Sequence, residues 1–575
     1  MSLPPPPRTP PPPPPRPTAS AAATELEPSL LRSSRTMAAG TIVSRGTGLL
    51  RTVVIAGVIG SKAFGDAYNI ANTLPNIIYE LLLGGVLTSV VVPLLVKAAK
   101  QGTDEGVAYA QRLLTLVALV LGVASIIGVL AAPQITALYA GDCTKATDKA
   151  HAVTFARYFL PQIAFYGIGA TMGAILNTRR SFAAPMWAPV LNNLVVIVTG
   201  LLVLILPDDD TGKVPVLSHT QILVLALGTT AGVVVQTVAL VPALRRTGFH
   251  WRPRFDFANA GLGAAGRLGS WVLVYVLANQ LSYFVVVRLA HQTLSTGDRC
   301  AAPAPGSGSY TTYVLAFVVF SLPHAIVAVS VITALLPRMS RHVVDGRPRL
   351  LPLELSRGLR LSAVVLVPAT FALIVLAQPV ATTLFRHGAV HQADARVIGW
   401  TIATFALGLI PFSAFQLHLR AFYALGDTRT PAYISIVVNA VNVLADLLLF
   451  VSLEGSARLP ALAGGYALSY LVGVTLTGAV LSHRLGSIDR QRTVRTLVRL
   501  TVASAVGAAV AWVLSELGGA VAGHGVSGSV LSLALGVPAG AWVMLWIAVR
   551  LRIPEVARLL AALGGRVPGL PAGRR

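Results

Sequence analysis

"SRGTGLLR", residues 44–51, decides how the chain is read, because it places Arg45 and Arg51 inside a run that is otherwise apolar enough for a membrane helix. A guanidinium at mid-bilayer costs roughly 2.5–3.5 kcal/mol on insertion scales, so two in one span call for a buried partner or a water-filled cavity. With a rise of about 1.5 Å per residue, Arg45 lies about 14 Å from the inner end of its helix and Arg51 lies near mid-bilayer. Gly46 and Gly48 between them offer a place for the helix to bend so that both side chains face inward.

The rest of the chain supports a membrane setting. Of its 575 residues 54% are hydrophobic and 12% charged, about half the charged share of a soluble domain. Fourteen apolar runs, the first at 36–60 and the last at 526–550, are each long enough to cross about 30 Å of hydrocarbon. The expected fold class is an all-α polytopic membrane protein. Before the first run, "MSLPPPPRTPPPPPPRPTASAAATELEP" lacks the apolar stretch of a signal peptide. Residues 1–35 read as a disordered, Pro-rich cytoplasmic tail: either an extension without a role ahead of Met37, or a polyproline segment for a docking groove.

A net charge of +23 raises the question of nucleic acid, but the basic residues form no single patch. They alternate from loop to loop, with "RRTGFHWRPR" (245–254) and "PRMSRHVVDGRPR" (337–349) on one side and "PDDDTGK" (207–213) and "SLEGS" (452–456) on the other. Positive loops stay in the cytoplasm, which places both termini there. Cys143 and Cys300 then fall in outside loops, where a disulfide is chemically permitted and two unpaired thiols are the alternative.

The chain also repeats itself. "AAPQITALY" (131–139) resembles "AQPVATTLF" (377–385), and the Pro-to-Asn spacing of "PMWAPVLNN" (185–193) recurs in "PAYISIVVN" (431–439), both at an offset of 246 residues. Six helices lie between equivalents, so the copies run in the same direction, as two lobes related by an axis along the membrane normal. The expected organisation is an N-lobe over 36–244, a linker over 245–261, a C-lobe over 262–484, a further helix pair over 493–552 and a cytoplasmic tail over 553–575.

Other polar residues stand inside the spans. Asp66 is either an interfacial cap or part of a substrate site; Glu80 lies deeper, where it pairs with Arg51 or exchanges that pairing with an anionic substrate. Arg157 is close enough to a helix end to snorkel. "NAVNVLADLL" (439–448) sets Asn442 and Asp446 one turn apart on one helix face. An amide carbonyl beside a carboxylate is hard oxygen chemistry suited to a small cation, or the acid carries a proton; interhelical hydrogen bonding is the plainer alternative. Asn279, Gln280 and Ser282 are candidates for further ligands, and His324 and His418 read as packing or cavity residues. No Walker loop, HExxH or CxxC motif is present, and nothing assembles a nucleophile with a base. The expectation is therefore a transporter without a cofactor, driven by a sodium or proton gradient or by the membrane potential.

"SRGTGLLR", Asp66 ahead of "LPN" (74–76), "LLLGGVLTSVVVPLL" (81–95) and "GAILNTRRSFAAPMWAPVLNN" (173–193) together resemble the MurJ/MviN lipid II flippases, over about residues 36 to 550. The resemblance implies the multidrug/oligosaccharidyl-lipid/polysaccharide exporter superfamily, fourteen helices, and a lipid-tail groove from the last two. It implies export of lipid II, an undecaprenyl-diphosphate-linked glycopeptide, across the bacterial cytoplasmic membrane by alternating access. It carries substrate-binding roles to Arg45, Arg51 and Asp66. Membrane lipids and cell-wall synthesis proteins are the implied partners, and nucleic acid is not. Two departures are visible, in keeping with an actinobacterial branch. "IIYE" (77–80) stands where many members carry arginines, and "AFVVFSLPH" (316–324) lacks the arginine usual before its proline. The competing cargoes are another polyprenyl-diphosphate-linked glycan or a small molecule exchanged for a cation; a nontransporting scaffold would gain nothing from deep charges.

Overall fold

A computed structural model describes residues 19–81, 103–139, 145–179, 181–207, 217–256, 262–292, 306, 308–486 and 489–562. The described residues are almost all helical. The first half holds α1 (Ala19–Ile59), α2 (Ala63–Leu81), α3 (Thr103–Leu130), α4 (Ala132–Tyr139), α5 (Ala146–Phe159), α6 (Gln162–Thr178), α7 (Ala183–Ile205), α8 (His219–Val238) and α9 (Leu240–Arg246). The second half holds α10 (Leu262–Gln292), α11 (Tyr310–Pro323), α12 (Val329–Val344), α13 (Leu351–Val375), α14 (Ala377–Phe385), α15 (Gln392–Leu407), α16 (Leu409–Ala424), α17 (Arg429–Ser452) and α18 (Arg458–Leu485). A pair, α19 (Arg490–Ala522) and α20 (Val526–Arg550), and a short helix, α21 (Pro554–Ala562), complete the chain.

Helix is the outcome because a chain in hydrocarbon must satisfy every backbone group internally. Among the described residues, twelve helices are long and apolar enough to cross a membrane, or thirteen when α15 and α16, bent by 47°, count as one span. The expected span over 66–97 is described only as far as Leu81, which accounts for the difference from fourteen. Large apolar side chains such as Leu444, Leu448, Trp512 and Trp542 are exposed on the outer surface, as a lipid-facing shell requires. Ends are closed by local chemistry: Ser218 and Gln221 form a capping box at the start of α8, with the Ser218 N–H donating to Gln221 Oε1 at 2.8 Å.

The repeat recurs in the element bounds. α5 starts at Ala146 and α15 at Gln392, and α7 starts at Ala183 and α17 at Arg429, each pair 246 residues apart. Both lobes also break in the same place, α3 giving way to α4 and α13 to α14. The copies share one hydrogen-bond pattern. Asn193 on α7 donates to Ser44 O and Thr47 Oγ1 on α1, at 3.1 and 3.0 Å; Asn439 on α17 donates to Asn279 Oδ1 on α10 at 3.3 Å.

The lobes have separate cores and a shared one. Tyr68, Phe155, Phe159 and Leu225 pack within the N-lobe, whereas Ala56, Ile70 and Tyr139 join Tyr310, Phe320, Phe385 and Phe405 in a cluster that crosses between lobes. The final helices attach to α13, where Val364 and Val367 meet Leu500, Met544 and Val556. Gly507 and Gly540 let α19 and α20 approach closely, since a Cβ on either would come within 2.6–2.7 Å of the other's carbonyl oxygen.

Candidate functional site: an interlobe cavity with two arginines

A cavity of about 720 Å³ lies between the lobes. Its N-lobe wall includes Ser44, Arg45, Gly48, Arg51 and Thr52 of α1, and Asn76, Asn192, Asn193 and Gln236. Its C-lobe wall includes Asn279, Gln280, Tyr313, Asn439, Asn442, Tyr466 and Tyr470. The helix between the arginines is not interrupted: α1 runs unbroken through Gly46 and Gly48. Arg45 and Arg51 both reach the cavity because a broad face of α1 borders it. The cationic groups there thus come from a single helix, and the other polar lining is neutral amide, hydroxyl and phenol. Such a lining suits an anionic group joined to a large hydrogen-bonding headgroup.

Among the described residues neither arginine has an ion-pair partner. The Glu80 side chain, expected beside Arg51, lies outside the described residues, as do Cys143 and Cys300. Arg157 is exposed on the outer surface of α5.

Asp66 does not line the cavity. It is fully buried near the start of α2, where it reaches across to the C-lobe. One oxygen accepts from the Thr311 N–H and Thr311 Oγ1, both at 2.8 Å; the other accepts from the Tyr310 N–H at 3.2 Å and lies 2.8 Å from His291 Nδ1. Asp66 thus caps the N-terminus of α11, a helix of the other lobe. Further interlobe bonds gather around it. Asn69 donates to Thr311 Oγ1, the Thr73 and Tyr310 hydroxyls meet at 2.7 Å, the Ala389 N–H donates to Gly57 O at 2.9 Å, and His387 Nε2 sits 3.0 Å from Val53 O. Together with the aromatic cluster they seal this end of the cavity.

The candidate coupling residues fall into two groups. Ser282 Oγ donates to Asn442 Oδ1 at 3.0 Å, and Asn442 Nδ2 donates to Asp446 Oδ2 at 2.8 Å. Asp446 is fully buried, and its Oδ1 has no hydrogen-bond partner. Asn279 belongs to the neighbouring set with Ser435 and Asn439. An uncompensated carboxylate oxygen in this setting is costly, and a bound proton or small cation relieves it. No cluster of three His, Cys, Asp or Glu residues capable of holding a metal occurs among the described residues.

Reading the sequence missed two things: His291, and the amide lining contributed by Asn192, Asn193 and Gln236. The repeat held a signal for one of them, because Asn193 and Asn439 occupy equivalent positions in the motif.

The family model for the lipid II flippase MurJ matches residues 55–533. Similar proteins include the lipid II flippase MurJ of Burkholderia cenocepacia, 29% identical over 79% of this chain and 83% of that one. The probable lipid II flippase MurJ of Vibrio cholerae is 26% identical over 91% and 97%. Among solved structures, a lipid II flippase MurJ in an inward closed conformation aligns with a TM-score of 0.69 at 18% identity, over 92% of this chain and 99% of that one. An inward-facing multidrug resistance MATE family transporter of the MOP superfamily aligns at 0.58 and 13%, over 78% and 99%. Cavity, paired lobes and sequence agree on a membrane transporter rather than an enzyme, and the chain belongs to the MurJ lipid II flippase family.

Proposed function

We propose that the protein carries lipid II from the inner to the outer leaflet of the bacterial cytoplasmic membrane by alternating access, with Arg45 and Arg51 holding the diphosphate. The observation that carries this reading is the pair of guanidiniums, without protein counter-charge among the described residues, on the wall of an interlobe cavity sealed at one end. Arg forks match phosphate oxygens bidentately, and in a cavity of low dielectric such contacts gain strength. Amides and tyrosines of both lobes present donors and acceptors to the glycopeptide, while the groove of α19 and α20 accommodates the lipid tail.

The alternation of basic loops puts the end sealed by Asp66 on the outside, with both termini in the cytoplasm. Loading then occurs from the cytoplasm, and release requires the bonds around Asp66 to break. Asp446, with Asn442 alongside and Asn279 one set away, supplies the site for a coupling sodium ion or proton, and the membrane potential is a second source of drive. Membrane lipids surround the apolar shell, and cell-wall synthesis proteins are the proposed neighbours.

Proteoliposomes containing the full chain and labelled lipid II test the reading. Headgroup exposed to the lumen should appear with the protein and fall at least tenfold with Arg51→Ala. Transfer that does not depend on the protein, or is undiminished in Arg45→Ala/Arg51→Ala, would overturn it. A cation-coupled small-molecule antiporter is the second reading, favoured by the buried Asp446; it leaves the two arginines of α1 without a role.

A further inference from the structure

Among the described residues, the ion pair that crosses between the lobes is His291–Asp66, and its positive member is the one side chain type whose charge ordinarily changes near neutral pH. Both side chains are buried. The Tyr310 and Thr311 N–H groups and the Thr311 hydroxyl already donate three bonds to the carboxylate, and His291 Nδ1 makes the fourth contact at 2.8 Å. With a proton on the ring that contact supplies a buried counter-charge; without one it is a hydrogen bond to a neutral group. His291 also stands in the last turn of α10, where the helix dipole favours a cation.

The ring reaches the carboxylate through a socket. A second cavity, of about 240 Å³, is walled by α2, α4 and α5 of the N-lobe, through Ala67, Thr136 and Ala152 among others, and His291 is the one lining residue that the C-lobe puts into it. Asp148 and Lys149 near the start of α5 line it too, and Lys149 is exposed, which brings the socket to the surface at the sealed end. The charged and titratable groups around the ring are few. α2 presents Asp66, and α5 presents Asp148 and Lys149, of opposite sign. α11 presents Tyr310, whose hydroxyl is engaged with Thr73 and Tyr283, and α4 adds no charged group to the lining. On α10 itself Arg288 donates to Leu138 O at 2.8 Å. Opening this end withdraws His291 from the socket and parts it from Asp66.

We propose that His291 is a positioning residue of the outer seal and that a proton taken up from the outside through the socket latches it closed onto Asp66. The inference rests on the alternating-access reading and on its assignment of the sealed end to the outside. Proton binding and closure favour each other, because only the closed end holds the imidazolium against the carboxylate. The proton's contribution to closure is fully present in acid and is lost as the pH rises through neutrality. Acid outside thus slows opening toward the outer leaflet and speeds the return of the emptied carrier to the loading state.

Spin labels test it in the full chain. Thr147→Cys on α5 and Arg396→Cys on α15, both at exposed positions, carry the labels in a background of Cys143→Ser and Cys300→Ser, and report the distance between the lobes at the outer end. The ratio of the short to the long population should rise about tenfold from about pH 8 to about pH 5.5. His291→Gln keeps a donor for Asp66 but cannot titrate, and should flatten this response; His387→Gln, which alters the other histidine of the seal, should retain it. A response that survives His291→Gln, or that is absent with His291 in place, overturns the latch. Independently of that variant's folding, exchange of histidine C2 hydrogens, read by mass spectrometry on the unaltered chain, gives the titration midpoint of His291. It should coincide with the midpoint of the distance change, and a separation of more than about one pH unit overturns the latch. Two populations whose ratio ignores pH sink the latch alone, whereas a single population at every pH sinks alternating access with it. A pH response in a chain that does not move lipid II would leave the latch standing and remove the cargo.

Discussion

Asp66 and His291 bind the two lobes to each other: His291 Nδ1 lies 2.8 Å from Asp66 Oδ2, and the carboxylate simultaneously caps α11 through Tyr310 and Thr311. Removing one partner of a buried pair leaves the other desolvated, at a cost of about 3–5 kcal/mol to the state that contains it. Asp66→Ala should therefore shift the population toward opening at this end. Spin labels at Val53 and His387, whose backbone and ring meet at 3.0 Å, should report a longer distance in the variant. An unchanged distance distribution would remove Asp66 from the gate.

At the α1 wall, Arg51→Lys retains a charge but loses the planar fork. Transfer of lipid II should fall by about tenfold rather than recover, the equivalent of about 1.4 kcal/mol. Recovery to the unaltered rate would mean that Arg51 acts as a point charge.

The buried Asp446 leads to two expectations. Asp446→Asn should abolish the dependence of transport on a sodium or proton gradient, read as initial rates with and without each gradient. Gly465→Ala should act on the same group from behind, because a Cβ at Gly465 would collide with Asp446 Oδ1. Overpacking of this kind costs about 1–3 kcal/mol, visible as a lower unfolding temperature together with altered ion dependence.

Arg360 of α13 joins the final helices to the C-lobe. Its Nε donates to Glu555 Oε1 on α21 at 3.0 Å, and its Nη1 contacts Ser356 at 2.5 Å and Asp489 at 3.6 Å. Both Arg360 and Glu555 are buried. Arg360→Ala should lower stability by about 3–5 kcal/mol. Limited proteolysis should show release of α21 ahead of the rest of the chain.

The loop between α16 and α17 gives a pH expectation. Burial alone would raise the Asp427 carboxyl, but hydrogen bonds from Thr430 and Arg484 outweigh it and hold the group below the usual carboxylate range. A depressed carboxylate stabilises the fold fully above the unfolded pKa of about 3.9, and that contribution is lost as pH falls through the lower folded value. The unfolding temperature of the unaltered chain should drop across that acid window more than that of Asp427→Asn. The difference corresponds to at most about 1 kcal/mol, since the pair is partly exposed.

The architecture was legible because hydrocarbon imposes few choices. Runs such as 183–206 and 430–452 had to be helices, and their near-agreement with Ala183–Ile205 and Arg429–Ser452 reflects that constraint. The repeat was legible for a related reason: the Pro-to-Asn motif carries Asn193 and Asn439, whose bonds to α1 and α10 recur in both lobes. Arg45 and Arg51 stood out because charge inside a span is expensive wherever the span packs.

What the sequence by itself determined is the all-helical membrane class, the parallel repeat, the family and the anomalous charge on α1, since each follows from composition, spacing or insertion cost along a single helix. Only the tertiary structure decided that Asp66 caps a helix of the opposite lobe, that His291 joins it there, and that Asp446 keeps one oxygen unpaired. Those outcomes depend on which faces of helices hundreds of residues apart meet. Helical periodicity orders side chains around one axis, but it carries no information about the neighbour that axis will find.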